Sequence, residues 1–83
     1  MQADSKSIYE MLFLGNRVKV RCATKRDAHR LRVSLAKRHK EITAVELSSD
    51  SLCMDWEPPT AIFWLGQKRR AAPKFFEVYH EPI

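Results

Sequence analysis

Of the residue types in these 83 residues that can do chemistry, only the lysines and arginines fall into a pattern. His29, His39 and His80 show no metal-ligand spacing with one another or with Cys22 and Cys53, and there is no CxxC and no HExxH. The expectation is that no metal is bound and that no cofactor is needed. Cys22 has no histidine placed beside it in sequence, and a buried thiol that only packs is the commoner role. Glu46, Asp50, Asp55 and Glu57 are too scattered to nominate a carboxylate pair for acid–base work. Gly15 and Gly66 form no phosphate-binding loop. No catalytic residue is nominated, and the chain is read as a non-enzyme.

The cations are arranged. Net charge is +5, yet residues 17–42 alone carry ten basic side chains against two acidic ones, or +8. Residues 1–16 carry −1, residues 43–66 carry −4, and residues 67–83 carry +2. A surface polarised in this way points to a polyanion such as nucleic acid. The densest stretch is "TKRDAHRLRVSLAKRHKE", residues 24–41, with seven basic residues and two acids. At about 100° per residue, Ala28, Leu31, Leu35 and Ile42 share one side of a helix, with His39 at its edge. Arg26, Arg30, Lys37 and Lys40 form a ridge opposite, with Val33 among them. A ridge of one sign suits phosphate contact better than an ordinary solvated face does, because adjacent like charges repel.

The elements that must hold this ridge follow from the same periodicities. Thr24, with Asp27 three residues on, is an N-cap pattern that starts a helix over 25–40. Lys37, Arg38 and Lys40 would then sit near its C-terminus, where cations are favoured. "RVKVRCA", 17–23, alternates as a half-buried strand, with Arg17, Lys19 and Arg21 on its outward side. If that side borders the helix, the three cations extend its positive field. "SIYEMLFLGN" has a capping-box pattern at Ser7 and Glu10 and a helix stop at Gly15, which favours a short helix over 7–14. The alternative is a hairpin joining "MLFL" to "RVKVRC" through a Gly-Asn turn. "TAVELS" (43–48), "LCMDW" (52–56), "AIFWLG" (61–66) and "FFEVYH" (75–80) read as strands running as a meander. "AIFWL", apolar on both sides, suits a central strand, covered on both faces or left open on one for a partner. The fold class is therefore α+β: one long amphipathic helix on a mostly antiparallel sheet of about five strands, in one small basic domain, 1–83.

Two further features bear on binding. The loop "QKRRAAPK" carries Lys68, Arg69, Arg70 and Lys74, a second basic element at a hairpin tip. Trp56, Phe63, Trp64, Phe75, Phe76 and Tyr79 all lie on strands, and most should be core in a domain this small. Phe76 and Tyr79, beside the basic loop, are the candidates for stacking on bases. No apolar run is long enough for a membrane span or a signal-peptide core, and two cysteines are few for a small secreted domain. A cytoplasmic chain with free thiols is expected.

The basic residues do not fit the signatures of homeodomain, zinc-finger or RNA-recognition modules. In general character, though not through any motif, the chain resembles the small accessory proteins that phages encode. The function expected is nucleic-acid binding, DNA or RNA, through the phosphate backbone and with little sequence specificity. The phosphate contacts would come from Arg17, Lys19, Arg21, Arg26, Arg30, Lys37, Lys40, Lys68, Arg69, Arg70 and Lys74. The rival is an interaction adaptor or inhibitor whose basic face meets an acidic protein partner. The acidic residues 46–57 also offer that face to a second copy, giving a homo-oligomer.

Overall fold

The computed structural model of the chain describes residues 3–46, 51–57, 59–66 and 74–80. Its elements run α1 (Ser5–Phe13), β1 (Arg17–Cys22), α2 (Lys25–Glu46), β2 (Leu52–Glu57), β3 (Thr60–Leu65) and β4 (Phe75–His80). This is an α+β layout, a long helix and a short one on a four-stranded sheet of order β2-β3-β1-β4.

The α1 helix forms one turn earlier than its capping-box pattern suggests. Asp4 is the N-cap, and its Oδ1 accepts from the Ser7 backbone N–H at 2.8 Å. An aspartate there satisfies an otherwise orphan amide more strongly than a serine hydroxyl can. The helix ends where Gly15 takes φ 94°. Gly15 N–H donates to the Leu12 carbonyl at 2.9 Å and Asn16 N–H to the Met11 carbonyl at 3.1 Å, the paired bonds of a Schellman stop. That glycine-dependent stop also disposes of the hairpin alternative, since "MLFL" belongs to the helix or its cap.

The Asp4 cap has a pH signature. The Ser7 backbone N–H and, next, its hydroxyl hold the Asp4 carboxyl below the usual carboxylate range. A depressed acid stabilises the fold fully above its unfolded value and withdraws that stability as pH falls through the folded one. Asp4→Asn keeps the acceptor but removes the titration. Thermal melts of this variant should lie slightly below the parent at pH 7 and fall less steeply below about pH 4, so that the two converge in acid. Identical acid limbs would show that the cap charge adds nothing.

In α2, Thr24 Oγ1 accepts from Asp27 N–H at 3.2 Å, as its spacing predicts. The helix does not stop near residue 40, however. Residues 43–46 continue it, so the strand expected at 43–48 is absent over those four residues, and 47–48 lie outside the described ones. Extending an existing helix adds a backbone bond for each residue fixed. Thr43, whose β-branch suggested a strand, sends its hydroxyl back to the His39 carbonyl at 2.9 Å. Among the described residues the sheet accordingly has four strands rather than about five.

The strands do not run as a meander either. β1 sits between β3 and β4, antiparallel to the first and parallel to the second. β2 and β3 form an antiparallel hairpin. β1 and β2 thus point the same way, joined by α2 as a crossover, with β3 inserted between them. No local signal announces this arrangement, because alternation marks a strand but not its neighbours. The β4 edge is clipped near its end by Ala3, whose N–H donates to the Tyr79 carbonyl and whose carbonyl accepts from His80 Nδ1, each at 2.9 Å.

Both helices lie on one face of the sheet, against β1 and β3. Val18, Val20 and Cys22 of β1, Ala61, Phe63 and Leu65 of β3, and Val78 of β4 meet Ile8, Tyr9, Leu12, Ala28, Leu31 and Leu35 in a single core. Leu31 and Leu35 are buried, as the spacing of α2 predicts. Tyr9 ties the helices together through a 2.6 Å hydrogen bond between its hydroxyl and His39 Nδ1.

Candidate nucleic-acid interface

Once α2 commits Ala28, Leu31 and Leu35 to the core, its other side is left to solvent. Arg26, Arg30, Lys37 and Lys40 are all exposed there, as is Val33 between them. From residue 26 to residue 40 the ridge runs about 21 Å at 1.5 Å rise per residue. Because the helix continues to Glu46, Lys37 and Lys40 sit short of its last turn, which holds no basic residue, and Arg26 stands in the first turn, where the dipole disfavours a cation. Dipole stabilisation therefore does not account for them, and they remain as surface charge. The ridge is not free of acids at its margin: Asp27 precedes Arg30 by three residues and Glu41 follows Lys37 by four. By the helical advance of about 100° per residue, both acids fall on the flank toward α1, where Glu41, Lys37 and Arg38 line a shallow hollow with Ser5 and Ser34.

Arg17, Lys19 and Arg21 do not border this ridge. They alternate with the buried Val18, Val20 and Cys22, so they project from the sheet face opposite the helices. There they meet acids. The register sets Lys19 beside Glu77 and Arg21 beside Thr60 and Tyr79, with Glu57 paired to Thr60 one strand further out. Glu57, Glu77, Lys19 and Arg21 share one depression on that face. Arg17 is held between rings, its guanidinium 5.8 Å from the Trp64 centroid and 5.6 Å from that of Phe75. Its Nε is buried without a hydrogen-bond partner among the described residues. The basic strand is thus one half of a mixed, near-neutral face, and the expected union of strand and helix into one positive field does not occur.

The aromatic candidates separate as well. Tyr79 is exposed on the open face. Phe76 is not a surface residue for stacking, because it is partly buried and packed against the core beside Val18. The period of two that puts Tyr79 outward puts Phe76 inward. Phe75, half exposed, and Trp64 take the outward positions instead. "AIFWL" is indeed a central strand, with Ala61, Phe63 and Leu65 buried and Ile62 and Trp64 on the open face. Of the basic loop, Lys74 is exposed and its carbonyl accepts from Arg17 N–H at 2.8 Å. Lys68, Arg69 and Arg70 lie outside the described residues.

One feature of this region was invisible in sequence. Because the helices cover β1 and β3, the core-side row of the edge strand β2 is only partly sheltered. Leu52 and Met54 are half-buried and Trp56 is exposed. Between this row and the first half of α2 runs a groove of about 600 Å³, lined by Met54, Trp56, Lys25, Arg26, His29 and Arg32. No local pattern could have nominated it, since it joins residues some thirty positions apart through the crossover.

Neither thiol is paired. Cys22 is buried in the core, and burial pushes its pKa up, with Asp27 adding to the effect, as expected of a packing thiol. Cys53 lies on the opposite face in β2, separated from Cys22 by β3. No helix is long and apolar enough to cross a membrane among the described residues. Comparison with protein-family models, with curated proteins and with solved structures found no match.

Proposed function

We propose that this chain is a small, non-enzymatic nucleic-acid-binding protein that holds the phosphate backbone along the outer side of α2. The observation that carries the reading is the exposed ridge of Arg26, Arg30, Lys37 and Lys40 on a helix whose apolar side is fully committed to the core. The ridge takes no part in the core, and within it like charges repel one another. Polyanion binding relieves that repulsion and releases condensed counterions, which supplies most of the affinity and little sequence discrimination. Arginine adds bidentate contact to phosphate oxygens. The strand cations contribute less, because Glu57 and Glu77 share their face.

The test is a titration of labelled single-stranded and duplex oligonucleotides with the unaltered protein across a salt series. Four ridge contacts predict a slope of log affinity against log salt of roughly −3 on single strands and −4 on duplex. Absence of binding to either at low salt overturns the reading in favour of an acidic protein partner.

A further inference from the structure

The groove between α2 and β2 has two characters at once. Its floor is apolar and aromatic, made by Met54 and by Trp56, which is 37% exposed. Its rim is cationic, made by Lys25, Arg26 and Arg32, with His29 among them. The charge on α2 is segregated to produce this. Asp27 and Glu41 fall on the flank toward α1, whereas Lys25, His29 and Arg32 fall on the flank toward β2 with no acid between them. Arg26 lines the groove and also begins the exposed ridge, so the two surfaces are continuous.

A ligand that matches both characters is a flat apolar ring that arrives with negative charge attached. An unpaired nucleobase with its own phosphate is such a group. An aromatic floor accepts any base, since every base has a π-face, and neighbouring cations hold the backbone. A base in a duplex is already stacked and paired, and it reaches such a pocket only at the cost of being flipped out. The volume falls within the range of sites that take small ligands.

We propose that the groove is a base-stacking site, with Trp56 as its platform, which makes the protein a binder of single-stranded rather than duplex nucleic acid. The proposal rests on the reading of α2 as the phosphate-binding surface, and it adds a contact that phosphate binding alone does not require.

The experiment compares three probes of equal length: a single-stranded oligonucleotide, the same sequence as a blunt duplex, and an abasic single strand that keeps only sugar and phosphate. Trp56→Ala should weaken binding of the single strand roughly 5- to 150-fold, the usual worth of one stacked base, and leave the duplex and abasic strand unmoved. Trp56→Phe, which keeps a ring and guards against a folding artefact, should restore most of that affinity. The chain has two tryptophans, so Trp64→Phe leaves Trp56 as the sole tryptophan, which can be excited selectively over the tyrosines. In that background the single strand should quench its fluorescence and the abasic strand should not. Equal loss on all three probes, or no loss on the single strand, overturns the stacking site while leaving the phosphate reading intact. No binding of any probe at low salt overturns both. Quenching of Trp56 by a glutamate–tyrosine copolymer but by no oligonucleotide assigns the groove to an acidic peptide instead.

Discussion

Changing Arg26, Arg30, Lys37 and Lys40 together to glutamine is expected to lower oligonucleotide affinity about 1,000-fold at 0.1 M salt. The size follows from counterion release. Each phosphate contact contributes roughly 0.7 of a decade on single strands and 0.9 on duplex for every tenfold drop in salt below the molar reference, so four contacts sum to about three decades. The salt slope should flatten by the same four contacts. Loss should be nearly uniform across sequences if, as proposed, the ridge holds backbone and not base edges. Glutamine keeps helix propensity close to that of lysine and arginine, and all four side chains are exposed, so the melting temperature should hardly move. A melt that holds while binding collapses separates a phosphate surface from a merely solvated one. If affinity is unchanged, the site lies elsewhere, on the open face of the sheet or in the basic residues 67–74.

Leu35→Ala is expected to cost about 2–5 kcal/mol of folding stability, the range for emptying a buried leucine site. Leu35 is fully buried in the core that α2 shares with α1, β1 and β3. A domain of this size has a small margin, of order 5–15 kcal/mol, and much of it would be lost. Urea melts measure the change directly, and a loss below about half a kcal/mol would mean that the side of α2 facing the core has been misjudged. The variant also guards the binding test, because its effect on affinity should scale with the fraction unfolded and not with salt.

Several parts of this molecule were legible before any fold was in view. The 3.6-residue spacing of Ala28, Leu31 and Leu35 fixes which side of α2 is buried, and hence that the ridge of Arg26, Arg30, Lys37 and Lys40 is exposed. Thr24 marks where that helix begins, and Gly15 where α1 ends. The alternation of residues 17–22 sets Val18, Val20 and Cys22 against Arg17, Lys19 and Arg21. Each of these is a local rule, decided by residues within a turn or two of one another.

What local rules could not decide is which surfaces share a side. Alternation says that Arg17, Lys19 and Arg21 lie together, but only sheet order and helix placement put them on the layer opposite α2 and among Glu57 and Glu77. The strand expected at 43–48 gives way to helix over 43–46 for a similar reason: Thr43, Ala44 and Val45 suit either period, and the established helix, with Thr43 bonded back to His39, takes them. Phe76 looked available because it adjoins the basic loop, yet its register beside Val18 turns it into the core. The groove at Trp56 exists because α2 crosses from β1 to β2 while resting on β1 and β3, which leaves the edge strand partly uncovered. Side-chain direction along one element is set by backbone periodicity, whereas the meeting of two elements is set by long-range burial that no short stretch encodes.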